Sequence, residues 1–385
     1  MTSPRNYEAR LGRLIERRTA AVPIRKSITA NAQADRDFYT ASPIYEVYNH
    51  VEQDGKAVRY AIGAMQRVDP GYTDITYEQG SRIKNQLTKA FARDNIRCVY
   101  RYQGSVTSDT HIKVYSDIDL LAITENFLWL EPPQVPTSPY LGDPVRDVEE
   151  IRTTSLNCLE TSFPAASVDG SGGKSISIDG GSLRRKVDVV PASWQDTNAY
   201  AASAAERDRA IKIYCVATGK WIVNKPFLHS HLLRTKDRAV LGGLRKIIRL
   251  MKSLRYDSDG AVKLSSFDIA GIAYAMHRHQ LLVTSETQLA LLPRLKEHLD
   301  FLAASPDARN QLYVPDESRR VFCKGHATLE KLDAMRDEVD DLVEAIAKDL
   351  DRSFSKLGDA RLAFRPRERW APQVSPFHGS PTRVF

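Results

Sequence analysis

Apolar positions recur along this chain with two periods, and the change of period divides it. Residues 7–19 place Leu11, Leu14 and Ile15 on one face of a basic helix. Over 78–94, Ile83, Leu87 and Phe91 repeat at four-residue spacing, which predicts an amphipathic helix. It feeds a strand at 97–102. A helix is expected over 149–161 and a short strand at 175–178, the latter inside a Gly/Ser-rich hairpin at 168–182. The β-branched run at 186–190 reads as another strand, ended by Pro191. From Ala205 the period turns helical, with helices expected at 206–218, 239–256, 268–277, 289–302 and 328–354. In the last, Leu329, Leu332, Met335, Val339, Leu342, Val343 and Ile346 form one stripe, the mark of a helix packed in a helical lobe. The stretch 132–147 is a proline-rich surface loop, and Pro366, Pro372, Pro376 and Pro381 mark a tail. The pattern gives an α/β (α+β) chain with a mixed part at 1–204, a helical lobe at 205–363 and a Pro-rich tail at 364–385.

The candidate chemistry lies between the strands. Gln103-Gly104-Ser105 forms a turn, and Ser116-Asp117-Ile118-Asp119 follows it. Residues two apart on a strand share a face, so Asp117 and Asp119 project side by side. Paired carboxylates repel unless a cation lies between them, and hard oxygen ligands at this spacing suit Mg²⁺ bound together with a substrate's phosphates. A Gly-Ser turn offers backbone N–H groups and a hydroxyl to those phosphates. The commoner fate of an isolated Asp-x-Asp is an exposed acidic edge. Asp188 is a third acid, interrupting an apolar strand where an unpaired carboxylate is costly. It either binds metal or pairs with Arg184, Arg185 or Lys186. Three acids on two strands are the usual equipment of two-metal phosphoryl transfer.

Composition narrows the classes. The 385 residues suffice for two lobes, and the net charge of +7 suits polyanionic substrates or nucleic acid alike. Cys98, Cys158, Cys215 and Cys323 are scattered, so neither a zinc ribbon nor a disulfide framework is indicated. No leader-like apolar stretch opens the chain and no run approaches eighteen apolar residues, which predicts a cytoplasmic protein without a membrane partner. Gly173-Lys174-Ser175 looks like the end of a P-loop. The first glycine of that motif would fall at Val168, however, with no buried strand before it and no clear helix after it. That match is rejected.

Gly104-Ser105, Asp117-x-Asp119 and the distant Asp188 resemble the nucleotidyltransferase signature of the DNA polymerase beta superfamily. More narrowly, the chain is similar to the cGAS/DncV-like nucleotidyltransferases (CD-NTases) of bacterial CBASS anti-phage systems. Two further blocks carry that resemblance: Asn224-Lys225-Pro226-Phe227-Leu228-His229 with the basic helix ending at Lys252, and Lys263-Leu264-Ser265-Ser266-Phe267. It spans about 60–276 and continues weakly beyond. The resemblance implies a polymerase-beta-like core with a C-terminal helical lobe like that of the oligoadenylate synthetases, and nucleotides bound in the cleft between. It implies two Mg²⁺ ions (Mn²⁺ as a substitute) on Asp117, Asp119 and Asp188. Gln103, Gly104, Ser105, Lys252, Ser265 and Ser266 would serve the nucleotides, and Phe267 would stack on a base. Asn224 sits near a base-reading position. Expected substrates are NTPs, with ATP and GTP foremost. The expected product is a purine-containing cyclic dinucleotide, cGAMP by family frequency, which would activate a separate effector protein. The animal DNA sensor's zinc insertion is missing, so activation by duplex DNA is not expected.

Alternatives stay open at this point. Arg245, Arg249 and Lys252, at i, i+4 and i+7, would ordinarily be a solvated helix face, and Phe267 would ordinarily be core. The chain could instead make a linear oligonucleotide, modify another acceptor, or be an inactive nucleotide- or RNA-binding module. The intact set of three acids argues against the last.

Overall fold

The computed structural model describes residues 5–19, 55–113 and 117–356. Ser116 of the first motif and the tail expected at 364–385 lie outside them. In chain order the elements are α1 (Tyr7–Thr19), α2 (Lys56–Met65), α3 (Pro70–Arg93), β1 (Cys98–Gln103), β2 (Ile118–Leu130), α4 (Pro144–Ser162), β3 (Ala166–Asp169), β4 (Ile176–Gly180), β5 (Val187–Asp196) and α5 (Asn198–Ser203). There follow β6 (Ala210–Cys215), β7 (Lys220–Asn224), α6 (Pro226–Ala239), α7 (Gly243–Asp257), α8 (Ser266–Ala275), α9 (Arg278–Leu281), α10 (Leu291–Ala304), α11 (Pro306–Asn310) and α12 (Leu329–Lys356).

The strands form one mixed sheet in the order β1-β2-β5-β4-β3, with β6 and β7 added further along β5. β2 and β5 are parallel, and their other partners are antiparallel. Alternation on the central strands sorts their side chains. Ile118, Leu120, Val187 and Val189 face α3 and α4 in one core. Leu121, Ile123, Val190 and Ala192 share the opposite face with Ile211 and Ile213. Ile118, Leu120, Val187 and Val189 are all completely buried, and each such side chain contributes about 1.5–3 kcal/mol. The strands bearing the acids are therefore firmly anchored from behind.

Several expected boundaries move. α3 begins well before 78, because Asp69 caps it by accepting from Tyr72 N and Pro70 fits its first turn. β5 does not end at Pro191. That proline falls where β5 changes antiparallel partner, after the β4 pairing at 187–189 and before the β6 pairing at 193–195, so a missing N–H costs no ladder bond on that edge. The helix expected at 206–218 is overturned. A short 3₁₀ turn at Glu206–Asp208 leads into β6, which pairs with β5 and β7. The helix expected at 239–256 splits, because Gly242 at φ +88° separates α6 from α7.

The helical lobe has its own core, and α1 and α2 belong to it. Arg17 grips Asp257 of α7 through two hydrogen bonds of 2.6 and 2.8 Å, and Tyr60 Oη donates to the same carboxylate at 2.7 Å. The division at 204/205 thus misplaces two pieces: β6 and β7 complete the sheet, and the N-terminal helix packs in the helical lobe.

Candidate active site

Gln103, Asp119 and Asp188 lie in one row across β1, β2 and β5, as Cα partners in register. Period two places that row on the sheet face away from α3 and α4. Gly104 turns the chain at the end of β1 with φ +89°, and a Cβ there would collide with Asp119 Oδ2. Only glycine gives this backbone so close an approach to the carboxylate. The following loop is wound on itself. Thr107 Oγ1 and Ser108 Oγ donate to Gly104 O, and Thr110 N donates to Ser105 O.

The three acids crowd together. Burial pushes the Asp119 carboxyl up to about 7, helped by the charges of Asp188 and Asp117 and opposed by Lys186. Asp188 is also raised, by burial, with Lys186 pulling the other way. Lys186 Nζ donates to Asp117 Oδ2 at 3.0 Å and to Asp188 Oδ2 at 3.3 Å. The salt bridge weighed for Asp188 is therefore real, and it reaches Asp117 as well. Burial would lower the Lys186 pKa, but its two acidic partners raise it overall.

The carboxylates do not close into a cage. Among the described residues no group of three or more His, Cys, Asp or Glu side chains forms a complete metal site. The donor set nevertheless fits hard divalent cations that share their coordination with phosphates. Asp188 Oδ1 is buried without a hydrogen-bond partner, although Lys186 Nζ lies 3.2 Å away. A lysine ammonium already occupies the space between two of the acids.

A cleft of about 710 Å³ opens in front of this row. The sheet side contributes Gln103, Gly104, Ser105, Asp117, Asp119, Asp188 and Asn224 at the end of β7; Lys252, Ser266 and Phe267 line the helical side. The structure thus brings together every expected site residue except Ser265. Ser265 caps α8 instead: its Oγ accepts from Asp268 N while its own backbone N–H donates to Asp268 Oδ2, a reciprocal capping box that commits it to the helix end. Of the two serines expected at the nucleotides, only Ser266 lines the cleft.

The basic face of α7 is not solvated. Arg249 is buried, donating from Nε to Met65 O and from Nη1 to Asp109 O. Lys252 is also buried, with Nζ donating to Thr110 O at 3.0 Å in the loop that follows the Gly-Ser turn. Burial pushes the Lys252 ammonium down to about 7, aided by Arg255 and Arg249. Phe267 is not core either; it is 37% exposed and stacks on His229, with ring centroids 4.3 Å apart and planes at 16°.

Sequence reasoning missed five basic or imidazole groups that line the cleft: Lys174, Lys225, His229, Arg319 and His326. His229 closes a block the resemblance already covered. Lys174 lay in the rejected P-loop match. Arg319 carried no signal, because its loop follows the cleft residues in sequence by more than fifty positions.

No protein-family model matches the chain. The cyclic dinucleotide synthase CdnE of Yersinia aleksiciae is 40% identical over 289 residues, covering 74% of this chain and 76% of that protein. A c-di-GMP synthase of a Lachnospiraceae bacterium (strain RUG226) is 31% identical over 248 residues, covering 58% and 70%. The solved structure of a STING-associated CdnE c-di-GMP synthase from Capnocytophaga granulosa matches with a TM-score of 0.66 at 26% identity, over 90% of this chain and all (100%) of that one. A second such synthase, from Flavobacteriaceae sp., shares the fold at a TM-score of 0.71 and 21% identity, over 89% and 99%. With three acids clustered beside a Gly-Ser turn, and these relatives along most of its length, the chain belongs to the CdnE cyclic dinucleotide synthases, nucleotidyltransferases of the cGAS/DncV-like family with the polymerase-beta-like fold.

Proposed function

We propose that this synthase joins two purine nucleoside triphosphates, at least one of them GTP, into a cyclic dinucleotide, using Mg²⁺ or Mn²⁺ held by Asp117, Asp119 and Asp188. The observation that carries this reading is the single row Gln103, Asp119 and Asp188 with the Gly104 turn pressed against Asp119. Guanine is favoured over an exclusively adenine product because three of the four relatives above, all but the Yersinia protein, are named as c-di-GMP synthases. Both c-di-GMP and the expected cGAMP contain guanine and fall within this reading.

Divalent cations, when bound, supply Lewis acidity to the triphosphate and to the attacking ribose hydroxyl. The chain's own groups do the rest. The Gly104-Ser105 turn presents backbone and hydroxyl to phosphate oxygens at the sheet edge. Lys252, across the cleft, adds a positive charge to the phosphates once it exchanges Thr110 O for them. Phe267 gives a flat apolar surface for a base. The cleft is large enough for two nucleotides in turn, so a linear intermediate can be re-bound for ring closure.

The product's consumer is a separate effector protein in anti-phage signalling, a reading supported by the STING association named for the Capnocytophaga relative. No described helix is long and apolar enough to cross a membrane, which agrees with a cytoplasmic site where NTPs are plentiful. Duplex DNA has no part in this reading, which needs only NTPs and divalent cations.

The experiment is product analysis. The protein is incubated with each α-labelled NTP and Mg²⁺ or Mn²⁺, then treated with phosphatase. A phosphatase-resistant product labelled from GTP is expected. A product that phosphatase fully degrades, or one that never takes label from GTP, contradicts the proposal.

A further inference from the structure

Arg319 enters the cleft from a loop between α11 and α12. Its guanidinium carbon lies 5.5 Å from the centre of the Phe267 ring. Two contacts fix it there. Nη2 donates to Asp268 Oδ1 at 2.8 Å, and Nη1 donates to Arg320 O at 3.0 Å. Asp268 is 2% exposed and belongs to the capping box of α8, the helix that also carries Phe267. The arginine and the ring are therefore held by one helix start, and their relative position is set by the fold. Nor is the ring free to swing: His229 stacks on it, and His229 is itself buried.

We infer that Arg319 selects guanine, by donating to O6 and N7 of a purine stacked on Phe267. A guanidinium has five N–H donors and no acceptor, and the contacts above use two of them. The side chain keeps 21% exposure, on the cleft side. Guanine's outer edge presents two acceptors, O6 and N7, at the spacing of the guanidinium fork. Adenine offers N7 beside an amino group, so one donor would face another. The platform itself is uncharged: burial pushes the His229 imidazole down to about 4, with Asp316 opposing. Arg319 is thus the charge placed beside the ring; Lys225 also lines the cleft, and Lys252 lies by the loop that follows the Gly-Ser turn.

This inference rests on the reading of the cleft as an NTP site, and the experiment separates the two. Equilibrium binding of fluorescent GTP and ATP analogues with a non-transferable α,β-methylene bridge is measured with Mn²⁺ for the full chain. The variants are Arg319→Lys and Lys252→Ala. Arg319→Lys keeps the charge beside buried Asp268, so the helix cap survives, but loses the planar fork. The wild type is expected to prefer GTP by roughly tenfold or more, the scale of one bidentate contact to guanine. Arg319→Lys should weaken GTP by about that factor and leave ATP nearly unchanged, whereas Lys252→Ala should weaken both alike. A wild type that binds neither nucleotide overturns the cleft assignment itself. A wild type that binds both equally, or an Arg319→Lys variant that keeps the GTP preference, overturns the role of Arg319 and leaves the cleft assignment standing.

Discussion

The two walls of the cleft are built in opposite ways. On the sheet side, the site residues arrive on neighbouring strands in register, and a completely buried apolar layer anchors those strands from behind. On the helical side they come from separated segments: α6, α7, the start of α8 and the loop before α12. The sheet wall concentrates negative charge, and the helical wall supplies cationic and aromatic groups. On the proposed function, chemistry sits on the part that is hardest to deform, and selection on parts that can vary one loop at a time.

If that division of labour holds, substitutions on the helical wall should change binding more than they change the chemical step. Lys252→Ala removes a charge-assisted contact to phosphate, about 1.5–3 kcal/mol. A loss of NTP affinity of about ten- to a hundredfold should follow, read by equilibrium binding. Arg249→Ala, one turn earlier, should behave differently. Its guanidinium is bonded to Met65 O and Asp109 O, so its removal should lower the melting temperature by leaving buried carbonyls unpaired, at a cost of about 1–3 kcal/mol. Equal, near-zero effects on affinity in both variants would remove Lys252 from the phosphate site.

The pH dependence of Lys252 gives a sharper version. Its folded value near 7 lies below the ordinary lysine value. Above about pH 7 the nucleotide-free protein carries it neutral, and a bound triphosphate must draw a proton back. NTP affinity should therefore fall as pH rises from 7 to 9, and Lys252→Met should abolish that slope. Stability runs the other way. The unfolded chain binds the extra proton between the two values, so this lysine makes the nucleotide-free protein more stable as pH rises through that window.

A smaller effect is expected on the sheet side. Lys186 holds Asp117 and Asp188 together without metal, so it competes with any cation for those oxygens. Lys186→Met should raise Mn²⁺ affinity severalfold, measured by the loss of the free-ion EPR signal, and should lower the melting temperature of the metal-free protein. Unchanged Mn²⁺ affinity would show that the ammonium does not contend for the metal position.

Legibility in the sequence follows the same contrast. A turn and two strands that meet within about ninety residues leave a local mark, so Gly104, Asp117, Asp119 and Asp188 could be read from spacing alone. The solvated-face reading of Arg249 and Lys252 failed, because burial on a helix depends on what packs against it, here the loop at Asp109 and Thr110. The misread segment 206–218 did carry a signal. Ile211, Lys212, Ile213 and Tyr214 alternate with period two, and Gly219 at φ +64° supplies the hairpin turn to β7. Helical residues on both flanks drew the reading away from it. Arg319 could not have been found this way. Its role depends on a contact with Asp268, fifty-one residues away, and no local period records such a meeting.

The central claim is that the clustered carboxylates Asp117, Asp119 and Asp188 hold the cations of nucleotidyl transfer, and the double variant Asp117→Asn, Asp119→Asn tests it most directly. Formation of the phosphatase-resistant product and the metal-free melting temperature are measured side by side. Removing two charges from a crowded site relieves repulsion, and Asp119, raised by burial and its acidic neighbours, shows how strong the crowding is. The account predicts that product vanishes while the melting temperature stays level or rises. Product formed at near wild-type rate by a folded double variant would contradict it.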